Sequence, residues 1–173
     1  SLYGEIFMNL EPYTERSRTM SKYLFNTIKS NVSLTDTAFV ANFTKRSIQL
    51  NKSSISLELP FPLLYQMCFN AAGKKAVEEG LDTLELYTLG KIHDYQVEHG
   101  MIYFKEICYN PLYIHLLKVR NAGFMEDYCM LLYKGGAPTD YAGWMSMNKE
   151  HYLDFMKWRE ENKLQLSPNN CFS

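Results

Sequence analysis

Histidine and carboxylate side chains crowd together once, in KIHDYQVEHG, where His93, Asp94, Glu98 and His99 lie close in sequence. On a helix, His93 and His99 stand about 240° apart around the axis, at 3.6 residues per turn. They cannot grip one ion as an i, i+4 pair of histidines does. Asp94 and Glu98 do share a face, and that face can hold a cation once ligands arrive from elsewhere, His115 and His151 being the remaining histidines. One reading is therefore a metal-dependent enzyme using His93, Asp94 and Glu98. The other account of the same residues is a set of solvated or core-edge side chains.

Nucleophilic chemistry finds less. There is no G-x-S-x-G, no P-loop and no G-x-G-x-x-G. Cys108 and His115 are seven apart, but Pro111 interrupts the helix that would align them. Cys68, Cys108, Cys129 and Cys171 form no C-x-x-C pair, which argues against a zinc site built from cysteines. Reduced thiols in an intracellular protein, cytoplasmic or nuclear (nucleoid), are the simpler account, with two disulfides as the alternative. No catalytic residue, cofactor or metal is assigned, and the chain reads as non-enzymatic.

Polar side chains suited to nucleic acid fall in SLTDTAFVANFTKRSIQL, residues 33–50. Thr35 or Asp36 can cap a first short helix through Ala38, Phe39 and Val40, and Thr44 a second. The small Ala38, the left-handed-tolerant Asn42, the apolar Phe43 and the inward Ile48 sit at the spacing of a two-helix corner. Over residues 33–51 the chain resembles the helix-turn-helix family. The resemblance implies that Lys45, Arg46 and Gln49 project from the second helix into the major groove of duplex DNA, Arg toward guanine and Gln toward adenine. Lys45, with Arg16, Arg18 and Lys52, would hold phosphates. Asn51 and Thr37 depart from the family pattern, which prefers apolar residues there. Ile48 and Leu50 also open an alternation that resumes at Ile55, Leu57 and Leu59 beyond NKSS, which reads as a hairpin over residues 48–59 or the wing of a winged variant. The two residues cannot serve both a helix and a strand. An ordinary helix-loop-helix corner with two solvated bases remains the competing account.

A second stretch, NPLYIHLLKVRNAGFMEDYCMLLYKGGAPTD, resembles one ankyrin repeat, with Leu116 and Leu117 where the family keeps small residues. No copy recurs at a 33-residue offset, so a plain helical hairpin explains it equally. Most of the thirteen tyrosines and ten phenylalanines fall on apolar stripes and belong to the core. Tyr141 and Trp144, in YAGW, read as loop residues and as candidates for contact with a partner protein.

The elements around these residues are mostly helical. Ile6, Phe7 and Leu10 precede Pro12 in a segment compatible with helix or strand. Thr14 is placed to cap a helix striped by Met20, Leu24 and Ile28 that ends near Asn31. Pro62 opens another, which Gly73 breaks or ends; Gly100 terminates the segment begun at Asp82-Thr83. Pro111 starts a helix ending near Asn121, a short apolar helix runs from Phe124 to Lys134, and GGAP turns the chain. Asn148 caps a last helix with Tyr152, Phe155, Met156 and Trp158 on its apolar side.

The expectation is a mainly α protein, a compact helical bundle or array with a small hairpin near residues 48–59. It divides into a helix-turn-helix-like region (1–60), a helical region (61–165) and a flexible tail (166–173), or forms one domain. With 173 residues and 46% hydrophobic composition the chain can bury a sizeable core. Net charge is -1, yet residues 1–53 carry seven Lys or Arg against four acids, a bias that suits a polyanion or arises by chance. No apolar run is long enough for a membrane span. Three functions compete: a DNA-binding or regulatory protein, which can dimerise; a helical protein-interaction or adaptor module, of viral or host-interaction type among others; and the metal enzyme.

Overall fold

Thr14 does what its position in the sequence predicts. Its side chain accepts the Ser17 N–H while the Ser17 hydroxyl accepts the Thr14 N–H, a reciprocal cap that fixes where the helix begins. The computed structural model describes residues 2–43, 61–107 and 110–166. Among them are seven helices: α1 (Leu2–Leu10), α2 (Glu15–Asn31), α3 (Phe61–Glu78), α4 (Leu86–Ile107), α5 (Pro111–Asn121), α6 (Met125–Tyr133) and α7 (Pro138–Glu161). Between α2 and α3 lie two short strands, β1 (Val32–Leu34) and β2 (Phe39–Ala41), paired antiparallel with Val32 opposite Ala41 and Leu34 opposite Phe39.

α6 is the innermost element. Eight of its nine residues are buried, only Glu126 reaching solvent, so its stability comes from packing on all sides. α4, α2, α5 and α7 surround it, α3 packs along α4, and β2 lies on α3. One continuous apolar cluster joins Met8 of α1, Phe25 of α2, Ala41 of β2, Phe69 of α3, Ile92 of α4, Leu112 of α5, Tyr128 of α6 and Phe155 of α7. Each of the large apolar side chains among them (Met8, Phe25, Phe69, Ile92, Leu112 and Phe155), removed from water, contributes about 1.5–3 kcal/mol before entropy is counted.

Two glycines behave differently from the sequence reading. Gly73 sits within α3, where the Phe39 ring occupies the space a Cβ would need. Gly100 is buried inside α4, which continues to Ile107. Helix propensity penalises each by about 1 kcal/mol, and tertiary packing overrides it. The α3 terminus falls instead at Gly80, which takes the left-handed conformation (φ +82°). Gly123 (φ +81°) turns the chain between α5 and α6, so the plain helical hairpin expected there is present.

Polar groups tie α1 into the interior. Glu5 and Asn9 share its buried face; Asn9 Nδ2 donates to Tyr128 Oη (2.7 Å), and Tyr128 Oη donates to Glu5 Oε1 (2.9 Å). His93 Nε2 lies 2.9 Å from the same Glu5 oxygen. At the end of α1, the buried Arg159 of α7 donates to the Met8 and Asn9 carbonyls, satisfying acceptors that the helix itself leaves open.

Candidate functional site

The first half of α7 holds the residues singled out for partner contact. Tyr141 and Trp144 lie on a helix and not in a loop, because Pro138 at its first turn supplies a preset φ and the segment docks by its aromatic side. The rings form a ladder into the core. Tyr141 and Trp144 stack at 6.4 Å, Trp144 meets Tyr152 edge-on at 5.8 Å, and Tyr152 rests on the wholly buried Phe155. Burial, with the Tyr141 phenol beside it, pushes Tyr152 well above the ordinary tyrosine range. Trp144 Nε1 donates to Glu126, the single exposed residue of α6. Both aromatics are half-buried, so each has one surface anchored and another toward solvent.

Outside this ladder, Ala142, Gly143, Ser146 and Met147 are exposed, Met147 to 81%. Residues 141–148 carry no charge. At Asn148 the backbone leaves helical geometry (φ −118°, ψ 15°), and its Nδ2 donates to the Trp144 carbonyl at 3.0 Å. Asn148, expected as a cap, is thus a kink between two helical segments, held by a side chain that competes for a helix carbonyl.

The DNA-contact residues are placed only in part. Arg16 and Arg18 are on α2, both side chains 75% exposed; Arg16 lies 3.6 Å from Glu11 and Arg18 3.0 Å from Glu15. Thr44, Lys45, Arg46, Gln49 and Lys52 lie outside the described residues, as does the hairpin expected over 48–59. The first helix of the proposed corner is replaced by a hairpin. Thr35 N donates to the Ala38 carbonyl, and the Thr35 hydroxyl accepts from Ala38 N at 3.0 Å, so Thr35 closes a turn and caps no helix. Among the described residues no non-glycine residue has positive φ, so Asn42 is not a left-handed corner. Phe39 and Phe43 pack onto Phe69 of α3, and Asn70 pairs through its amide with both the N–H and C=O of Ala41. That amide supplies β2 with the hydrogen bonds of a missing third strand, which makes the extended form favourable over a helix.

The metal-reading residues diverge. His93 is buried against Glu5, while Asp94 and Glu98 turn outward to Arg120 (2.8 and 3.4 Å), and Glu98 also meets Lys75 at 3.4 Å. Arg120 and Lys75 hold the Glu98 carboxyl below its ordinary range against the effect of its own desolvation. No group of three or more His, Cys, Asp or Glu among the described residues could hold a metal ion.

One pair escaped the sequence reading. Asp127, wholly buried at the start of α6, has Oδ2 2.8 Å from Nδ1 of His151, whose side chain is 57% exposed and lies against Phe124. The approach is close but poorly aligned, and neither carboxylate oxygen has a well-formed hydrogen bond. Burial raises the Asp127 pKa, with His151 opposing. Asp127 and His151 are 24 positions apart, and no local pattern links them.

No family model matches the chain, and no curated protein or solved structure matches it. Among the described residues no helix is long and apolar enough to cross a membrane.

Proposed function

We propose that the chain is a non-enzymatic protein-interaction module whose contact surface is the first half of α7. The observation that carries this reading is the uncharged run at residues 141–148, in which Ala142, Gly143, Ser146 and Met147 are exposed, backed by the anchored Tyr141–Trp144 pair. Small side chains at Ala142, Gly143 and Ser146 allow another backbone to come close, and Met147 offers an adaptable apolar contact. Rigid half-exposed aromatics lose little entropy on binding, so they suit the centre of an interface. The occupant is an apolar helix face of a partner protein, a second copy of this chain included.

Gly143→Arg and Met147→Glu test this without touching the core, since a Cβ at Gly143 meets nothing within 4 Å. Both are expected to abolish partner recovery in a pull-down and any self-association in sedimentation, at unchanged melting temperature. Recovery and oligomeric state identical to wild type in both variants would sink the proposal.

A second reading, binding of duplex DNA, is favoured by the exposure of Arg16 and Arg18 on a helix without carboxylates after Glu15. It predicts salt-sensitive binding in fluorescence anisotropy, weakened by Lys45→Ala with Arg46→Ala. An absence of binding at low salt removes it.

A further inference from the structure

Where α4, α5 and α6 meet, an open pocket of about 200 Å³ takes part in none of the readings above. At ~30 Å³ per water molecule, it has room for a small organic molecule and little more. Tyr87, Gly90, Lys91 and Asp94 line it from α4, Arg120 from α5 and Glu126 from α6.

The four charges on its wall are two acids and two bases, and two of the four are matched within the fold. Asp94 accepts from Arg120 Nε at 2.8 Å, and Arg120 Nη2 turns to Glu98 at 3.4 Å. Lys91 and Glu126 are left over. Among the described residues, Lys91 pairs with no carboxylate and Glu126 with no base. The Lys91 Nζ stands 5.6 Å from the ring centre of Tyr87, another residue of the wall. Glu126 Oε1 accepts from Trp144 Nε1, which leaves Oε2.

Opposite charges that line one pocket without reaching each other set a field across it. An anion would be drawn to Lys91 and repelled by the acids, and a cation would meet the converse. A molecule bearing both charges is attracted at both ends.

Gly90 supplies the room. Helix propensity disfavours a glycine inside α4, and at Gly73 of α3 the Phe39 ring explains one. At Gly90 packing does not. A Cβ there would meet only the Cys129 Cβ, at an ordinary 3.7 Å. What the missing side chain changes is the pocket, whose wall is bare backbone at this point.

We propose that this pocket binds a small zwitterion, an amino acid with its carboxylate at Lys91 and its ammonium at Oε2 of Glu126. Its carbon chain lies against Gly90 and the Tyr87 ring. Each end makes a charge-assisted hydrogen bond that the fold itself does not supply.

The test is a titration of the full chain with glycine, 4-aminobutanoate and 6-aminohexanoate at constant pH and ionic strength, followed by amide chemical shifts. Saturable shifts at Gly90, Lys91 and Glu126 are expected with at least one of the three. The one-charge analogues of that ligand, butanoate and butylammonium in the case of 4-aminobutanoate, should bind about tenfold more weakly or less. The dissociation constant should also rise about tenfold in Lys91→Met and in Glu126→Gln, each of which removes one charge-assisted contact. The amide in Glu126→Gln keeps an acceptor for Trp144, and Glu126 is exposed, so this variant stays folded even if Lys91→Met does not. Gly90→Ala should bind more weakly while melting no lower than wild type. Lys157→Gln, on the charged outer face of α7, should bind as wild type. Saturation by none of the three zwitterions, equal affinity for the one-charge analogues, or wild-type affinity in Glu126→Gln would overturn the site.

Discussion

Lowering the pH from 7 to 4 charges an imidazole that the fold keeps neutral. His115, on α5, is 5% exposed, and burial, followed by the charges of Arg159 and Lys118, lowers its pKa from 6.5 to about 4. In the unfolded chain the ring takes up its proton near pH 6.5, while in the folded chain it does so only near pH 4. Between those values the unfolded state binds more protons, so stability is full above about 6.5 and falls as pH drops toward 4. At about 1.4 kcal/mol per pH unit, a shift of this size is worth about 3 kcal/mol at most, against a total of about 5–15 kcal/mol for a typical domain. Asp127 acts with the opposite sign. Its raised pKa means that acidification relieves a buried charge, so the wild-type curve alone understates the histidine. The informative measurement is a difference: urea denaturation of wild type and His115→Leu at pH 7 and pH 4.5. Wild type should lose about 1–3 kcal/mol more than the variant over that interval. An imidazole titrating above pH 6 by NMR, or parallel losses in both proteins, would refute the reasoning.

Other perturbations follow from the same interior. Glu5→Ala removes the acceptor shared by His93 and Tyr128 and should cost about 3–5 kcal/mol, read as a fall in the denaturation midpoint; a loss below 1 kcal/mol would show the cluster to be dispensable. Gly73→Ala gains helix propensity yet should lose about 1–3 kcal/mol by displacing Phe39, with Phe39→Ala expected to abolish that difference in a double-mutant cycle.

Elements whose cause is local could be read from the chain. The Thr14 cap, the end of α2 at Asn31, the Pro111 start of α5 and the GGAP turn all depend on residues within four positions of one another. Failures came where a distant partner decides. Residues 35–40 carry turn and helix-cap chemistry alike, and the choice of strand is made by Asn70 and Phe69, which the chain brings in from α3. Gly73 reads as a helix breaker until the Phe39 ring is seen beside it. Of the candidate surface, Tyr141 and Trp144 were visible as aromatics among small residues, but their anchoring by Glu126 and Tyr152 depends on tertiary packing.

The contacts of α1 also set an order of events. Its Glu5 and Asn9 reach partners 88, 123 and 150 residues downstream in His93, Tyr128 and Arg159. On a growing chain, at about 5–20 residues per second, Arg159 is polymerised roughly 8–30 s after Asn9. For that interval α1 can pack on α2, which follows it directly, but so short a helix is marginal alone in water and the carbonyls at its end still lack the Arg159 guanidinium. The buried contacts of α1 are therefore complete only once α4, α6 and α7 have all been made.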